Sequence, residues 1–313
     1  MNSPKVSVII NCFNGENFLR EAMASVFKQT YDNWELIVWD NGSTDATPDI
    51  VESFGSRVRY FRTETTCVIY KARNLALAEA RGEFIAYIDH DDIWHPPYLE
   101  KMVPLLEGDK ELGLVFTNPQ RIDENGRVWG RFSDDVKFCR GHVFYQMLED
   151  SFVPHPSAVI FRKSMLLAEE GFNEELQSAG DFEINLKIAK NYKIDFIEES
   201  LTQCRHHNAS VTNNYSKCFE ETRAVLKSVV LDCPDIEPYY KNRVARRMFI
   251  SYASEAILRI RSGEPFMAFA SILKGLKEIR FNVILLMSVV YRSFLKRRVR
   301  RYFIGWMMRL GFR

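Results

Sequence analysis

The sequence is poor in the features that mark secreted, zinc-binding or nucleic-acid-binding chains. Its six cysteines, Cys12, Cys67, Cys139, Cys204, Cys218 and Cys233, include no CxxC pair and no zinc-like Cys/His spacing. A disulfide scaffold and a zinc ribbon are therefore excluded, and the cysteines read as reduced thiols. Charge of one sign is also lacking: 42 Lys and Arg against 41 Asp and Glu leave a formal net charge of +1, which gives no field for a polyanionic partner. No internal repeat and no low-complexity tract is present, so solenoid and disordered architectures are not indicated. The opening Met-Asn-Ser-Pro-Lys passes straight into a strand pattern without the basic start and apolar core of a signal peptide, so a cytoplasmic location is expected. What is there in quantity is core: 46 % hydrophobic residues over 313 positions are enough for a full domain and a smaller appendage.

The first two hundred residues alternate between two periods. Val6 to Ile10 is a β-branched run suited to a strand covered on both faces, and Glu16 to Gln29 places Phe18, Leu19, Ala22, Val26 and Phe27 on one helical face. Strands are then expected at Trp34 to Trp39, Val58 to Phe61, Glu83 to Ile88, Leu112 to Phe116, Ala158 to Phe161 and Ile194 to Ile197. Helices are expected near Ala46 to Phe54, Tyr70 to Ala80 and Asp181 to Lys190. The polar stretch Asn118 to Arg140 carries no clear pattern. Such alternation predicts an α/β fold with a mostly parallel, Rossmann-like sheet flanked by helices and followed by a helical C-terminal extension. Ligands of such sheets bind beyond the carboxyl ends of the strands, where Asn11 to Asn14, Asp40 to Asp45 and Asp89 to Trp94 fall.

The densest chemistry is Asp89-His90-Asp91-Asp92, three carboxylates in four residues at a strand end. Their mutual repulsion disfavours the arrangement without a cation, and an oxygen-rich set of this kind suits magnesium or manganese. Alternate positions on a strand tip face the same way, so Asp89 and Asp91 address one ligand. Asp91 is the expected metal ligand, with Asp89 turned toward a ribose or the metal's water shell. The competing reading is a solvated acidic loop that starts the next helix, with Asp92 ahead of Pro96 and Pro97.

Five stretches in order and register, Val6 to Gly15, Asp40-Asn41-Gly42-Ser43-Thr44-Asp45, Ala72-Arg73-Asn74, Gly82-Glu83-Phe84-Ile85 and Asp89 to Trp94, resemble family 2 of the glycosyltransferases. The resemblance covers roughly residues 4 to 212. It implies the GT-A fold, inverting transfer from a nucleotide sugar, with a UDP-sugar as the expected donor, and a Mn2+ or Mg2+ cofactor. It also implies that Asn11, Phe13 and Asn14 line the base pocket, that Asp40 and Asn41 read the base edge, and that Asp89 and His90 lie toward the nucleotide. Many members carry two acids where this chain has Asp40-Asn41; the Asn41 amide still accepts from a base N–H and adds a donor. Arg73 matches the arginine that meets the diphosphate or base, although an ordinary surface charge on its helix is the alternative.

Inverting transfer needs one general base for the acceptor hydroxyl. Asp181, in Ser178-Ala179-Gly180-Asp181-Phe182-Glu183, resembles the family's base, with Gly180 standing where an acid is usual and Glu183 as the alternative. Its competing role is a helix N-cap. Cys204-Arg205-His206-His207, followed by Ser210, resembles the closing Y-R-x-H segment with cysteine for tyrosine, so His207 is expected at the metal or the diphosphate, or as a structural partner. Trp94 and His155 are expected at the acceptor, unless Pro154 and Pro156 merely make a turn there.

The division expected is a catalytic domain over residues 1–212, with a nucleotide-sugar half (1–117) and an acceptor half (118–212), and a helical region over 213–313. Its end is unusual. Eleven mostly apolar residues, Phe281 to Tyr291, precede Arg292, Lys296, Arg297, Arg298, Arg300, Arg301, Arg309 and Arg313 with no acid among them. That run is too short for a span of about 20 residues and suits an amphipathic helix on an anionic leaflet. Packing on the protein is the alternative. The expected protein thus adds a sugar to a saccharide or lipid-linked acceptor of a surface polysaccharide or glycolipid at the inner face of the plasma membrane, without nucleic acid. Two rivals are a sugar-nucleotide-binding scaffold that has lost activity and, far behind, a dehalogenase-like phosphatase, whose aspartates follow the first strand where this chain has Asn11.

Overall fold

The computed structural model describes residues 3–149, 153–207 and 215–278. Ser210 and the basic segment Phe281 to Arg313 lie outside the described residues. The chain divides into two units, Met1–Val225 and Leu226–Arg313.

In the first unit, strands β1 (Val6–Cys12), β2 (Trp34–Asp40), β3 (Val58–Arg62), β4 (Phe84–Tyr87), β5 (Ile93–Trp94), β6 (Leu112–Thr117), β7 (Gln120–Ile122), β8 (Val128–Arg131), β9 (Val159–Arg162), β10 (Lys193–Ile197) and β11 (Thr202–Arg205) alternate with seven α-helices among the described residues. These are α1 (Leu19–Phe27), α2 (Thr47–Glu52), α3 (Ile69–Glu79), α4 (Tyr98–Gly108), α5 (Phe144–Glu149), α6 (Lys163–Ala168) and α7 (Gly180–Asn191). The main sheet has the order β10-β6-β9-β4-β1-β2-β3. Every pairing in it is parallel except the two made by β9, which runs antiparallel to β4 and β6. All seven residues of β1 are buried, as a strand covered by helices on both faces requires. Val8, Ile10, Leu36 and Val38 meet Leu19, Met23 and Val26 of α1 in one apolar core.

The order reverses beside β1. The chain runs outward through β2 and β3, then returns to place β4 on the other side of β1, so the ends of β1 and β4 flank a crevice. The stretch Asn118 to Arg140 contributes β7 and β8 to a second sheet, of order β5-β11-β7-β8. It was invisible as pattern because β7 has three residues and β8 is largely exposed. This small sheet is what brings β11, and hence Arg205 to His207, against the end of β4.

Helix α8 (Tyr215–Asp232) contains the boundary between the units, beyond the division expected at residue 212. In the second unit α9 (Pro238–Arg261) packs on α10 (Pro265–Glu278). Gly275 permits the approach, since a Cβ there would lie 2.9 Å from the Tyr252 side chain. No described helix is long and apolar enough to cross a membrane.

The parallel start of the sheet rests on a backbone contact at Gly82. A Cβ on Gly82 would fall 2.4 Å from the Ser7 nitrogen and 2.7 Å from the Val6 carbonyl carbon, and neither can step aside. Gly82→Ala should therefore destabilise by about 1–3 kcal/mol. Gly108→Ala, with no atom within 4 Å of the new Cβ, should be neutral or gain about 0.5–1 kcal/mol. Urea midpoints test the pair; equal midpoints would contradict the close approach.

Candidate active site

Two interlocked loops close one side of the crevice. After β1, the Asn14 N–H donates to Ser43 Oγ (2.9 Å), the Gly15 N–H to Thr47 Oγ1 (2.9 Å) and the Glu16 N–H to Asp45 Oδ2 (3.0 Å), while Asn14 Oδ1 accepts from the Thr44 N–H (2.9 Å). Asn14 holds a left-handed φ of 51° to do so, a conformation asparagine tolerates. Asp40, fully buried, accepts from the Ser43 N–H (2.8 Å) and the Tyr60 hydroxyl (2.7 Å) and pairs with Arg62 at 3.4 Å. The Asn41 amide is occupied by the backbone of Cys67, donating to its carbonyl (2.7 Å) and accepting its N–H (3.0 Å). The side chains expected to read a base edge are thus engaged in building the pocket wall. Asn11 differs: it is 8 % exposed, yet neither its amide oxygen nor its amide nitrogen has a protein partner. A buried, unsatisfied amide at a strand end costs free energy unless a ligand completes it. Phe13, beside it, is 47 % exposed.

On the other side, α3 presents Tyr70 and Arg73 on one face, three residues apart. Arg73 is only 2 % exposed. Its guanidinium binds Asp181 through Nη1 and Asp89 Oδ1 through Nη2 (2.9 Å), and the rings of Tyr70, Tyr87 and Phe172 surround it at 5.5–5.6 Å. Arg73, expected to meet the diphosphate or base, instead bridges two carboxylates. The Tyr70 hydroxyl donates to Asp181 Oδ2 (3.2 Å).

The N-cap role considered for Asp181 is not what its side chain does. Helix α7 begins at Gly180, with Asp181 in its first turn and the carboxylate turned to Tyr70 and Arg73. Gly180 is explained at the same time, because a Cβ there would lie 2.7 Å from the Tyr70 ring. Burial pushes the Asp181 carboxyl above its ordinary value; Arg73 opposes that rise and Asp89 adds to it. Burial acts on Asp89 too, but there Arg73, followed by His155 and His90, holds the carboxyl below its ordinary value. Arg73 thus lowers both acids, but burial outweighs it at Asp181, whereas at Asp89 the arginine and the two histidines outweigh burial. Glu183 donates nothing to this cluster and accepts from Asn173 Nδ2 (3.2 Å).

Asp91 faces His207, with Oδ2 and Nε2 2.9 Å apart. Asp92 does not start a helix: it is 2 % exposed and accepts from the Ser157 hydroxyl and the Arg205 N–H (2.8 Å). Arg205 in turn donates from Nε to the Asp91 carbonyl (2.9 Å) and pairs with Glu21 (2.6 Å), bolting β11 to the acidic loop. His90 is half-buried and packs beside Gly15.

Trp94 and His155, expected at an acceptor pocket, are engaged by the protein itself. Trp94 is 2 % exposed, stacks on Tyr98 at 4.3 Å and donates its indole N–H to the Ser157 carbonyl (2.7 Å), leaving no face for a saccharide. His155 Nδ1 sits 3.2 Å from Cys204 Sγ and 3.7 Å from Asp92 Oδ2. Those three groups are close enough to share a metal ion. The Asp92 oxygens, however, already serve Ser157 and Arg205.

The matched stretches and this geometry coincide with a known family. The profile of Glycosyl transferase family 2 matches residues 7–166, about half of the chain. An uncharacterized glycosyltransferase of Methanocaldococcus jannaschii is 30 % identical over 214 residues, covering 66 % of this chain and 73 % of that protein. The chain belongs to glycosyl transferase family 2. An uncharacterized glycosyltransferase of Rickettsia typhi is 29 % identical over 71 % of this chain and 70 % of its own length, whereas the chain spans 39 % of a longer Rickettsia felis relative. Among solved structures, Staphylococcus aureus TarS residues 1–349 in complex with UDP-GlcNAc superposes with a TM-score of 0.68 at 20 % identity, over 88 % of this chain and 80 % of that one. The mannosyltransferase PcManGT of Pyrobaculum calidifontis, in complex with GDP-Man and Mn2+, gives 0.61 at 18 % identity over 96 % and 84 %. The fold of this family 2 transferase is therefore GT-A.

Tyr70, Ser157 and the clamp made by Arg205 were not singled out by sequence reading. Tyr70 left a trace in its three-residue spacing from Arg73, and Arg205 in the Cys204 to His207 segment, though not its clamping role. If Asp181 is the base expected from the sequence, it must be ionised, and kcat/KM for sugar transfer should fall as pH drops through its raised pKa. Arg73→Met removes the cation that holds that pKa down, and the acid limb should move to higher pH, while Arg73→Lys, which keeps the charge, should move it less. A limb unmoved in Arg73→Met would sink Asp181 as the titrating base.

Proposed function

We propose that this chain is an inverting, metal-dependent transferase that moves a sugar from a nucleoside diphosphate donor, with UDP-sugars the first candidates, to a saccharide or lipid-linked acceptor. The observation that carries the reading is that the acidic loop after β4 meets both groups: Asp89 shares Arg73 with Asp181, and Asp91, two residues on, faces His207.

Asp91 and His207 fit a divalent cation. Their donor atoms stand 2.9 Å apart, and adjacent ligands about 2.1 Å from an octahedral ion are separated by about 3 Å. The mixed carboxylate and imidazole set favours manganese over magnesium. Bound there, the ion would neutralise charge on the departing diphosphate. The chain's own residues supply the rest. Asn11 completes its amide against the base edge and Phe13 offers a ring face, while Asp40 and Asn41 hold the pocket wall. Asp89, held by Arg73, would turn its carboxylate toward the donor's ribose. Asp181 takes the acceptor hydroxyl's proton as that oxygen attacks the anomeric carbon opposite the leaving group, and inversion follows from the single displacement. A carboxylate kept basic by burial suits this task better than it suits a binding scaffold.

Membrane placement at the inner face is supported by the acid-free basic and aromatic sequence between Arg292 and Arg313. It fits a surface polysaccharide or glycolipid acceptor.

With a panel of nucleotide sugars and MnCl2, Asp91→Asn should lose metal-dependent donor turnover, and His207→Ala should need about 10- to 100-fold more manganese. Asp181→Asn should lower kcat about 100- to 10,000-fold with donor KM little changed. Equal turnover by Asp91→Asn and the unaltered chain would overturn the metal assignment.

A further inference from the structure

Helix α8 follows the stretch matched by the family profile, which ends at residue 166, yet one of its side chains reaches back to the catalytic helix. Glu221 is 5 % exposed and its carboxylate collects three consecutive backbone N–H groups. The Gln177 N–H donates to both oxygens at 3.0 Å, the Ser178 N–H to Oε2 at 2.7 Å and the Ala179 N–H to the same oxygen at 3.1 Å. Such converging amides form an anion nest, here filled by the protein's own carboxylate.

Its place gives the nest meaning. Ala179 is the N-cap of α7 and supplies no side-chain cap, so the positive end of the helix is served by a carboxylate from elsewhere in the chain. Asp181 is two residues further on. The other end of the loop is held from α3, where Asn74 donates to the Phe172 carbonyl (2.8 Å) and accepts the Phe172 N–H (2.9 Å). The segment between Phe172 and Asp181 is therefore pinned at both ends. Without the second pin, Asp181 loses its fixed height over Tyr70 and Arg73.

We propose that Glu221 is a positioning residue for Asp181, which makes the first half of α8 part of the catalytic apparatus of this enzyme. The proposal rests on the reading of Asp181 as the base. It acts through backbone placement, so donor binding at β1 and Asp91 is left intact while the transfer step suffers.

The full-length chain carrying Glu221→Ala, Glu221→Gln or Asp181→Asn decides it. Glu221→Ala should lower kcat for transfer about 10- to 100-fold with donor KM within about twofold of the unaltered chain. Glu221→Gln keeps one acceptor oxygen and should recover part of that loss. Amide hydrogen exchange over Ser178 to Phe182 should quicken about tenfold in Glu221→Ala while β1 stays protected. Unchanged kcat and unchanged exchange in a folded Glu221→Ala protein would overturn the proposal, as would a loss shared equally by kcat and by protection across β1, which marks general destabilisation. Full activity in Asp181→Asn would instead overturn the base assignment, and local exchange would still report whether Glu221 fixes the start of α7.

Discussion

A guanidinium that is almost wholly buried needs partners, and at Arg73, whose Nη1 and Nη2 find carboxylates while Nε finds no acceptor, those partners are the chemistry of the site. Two carboxylates from different parts of the chain, Asp89 after β4 and Asp181 on α7, converge on it, and three aromatic rings enclose the remainder. Removing one member of such a cluster leaves uncompensated charge in a poorly solvated place, at a typical cost of about 3–5 kcal/mol. The same pairing sets how each acid titrates: the one closer to net compensation ionises easily, and the other is kept basic by burial. Structure and reactivity are here a single electrostatic arrangement.

Around that centre, polar side chains act mostly on backbone. Asp92 and Arg205 tie β11 to the acidic loop, Asn14 and Asp45 tie the loops after β1 and β2 to each other, and Asn74 and Glu221 tie the loop that precedes Asp181. Loops carry function because their ends are free to vary, but they carry precise function only when such bonds remove that freedom. In this chain the acids divide accordingly. Asp40, Asp45, Asp92 and Glu221 are occupied in building, which leaves Asp91 and Asp181 to face the crevice.

Much of the fold was legible in sequence because period and burial agree: a β-branched run such as Val6 to Ile10 can only be a covered strand, and its helix follows at the right spacing. The antiparallel β9 and the small second sheet were not, since a three-residue strand such as Gln120–Ile122 leaves no periodicity to detect. Within the site, Asp91 and Asp181 could be named from motif alone. The roles of Arg73 and Trp94 could not, because motif register gives a position along the chain and no depth, and both are buried to 2 % exposure.

The sequence by itself determined the family, the alternating fold and the acidic strand end, since each depends on local order and spacing. Only the tertiary structure decided which acid meets His207, which meets Arg73 and which serves as a bolt between loops. Those roles depend on what stands across from each carboxylate: His207 is 116 positions from Asp91, and Arg73 is 108 from Asp181. Partners so remote in sequence are fixed by the sheet order that folds β4, β11, α3 and α7 around one crevice.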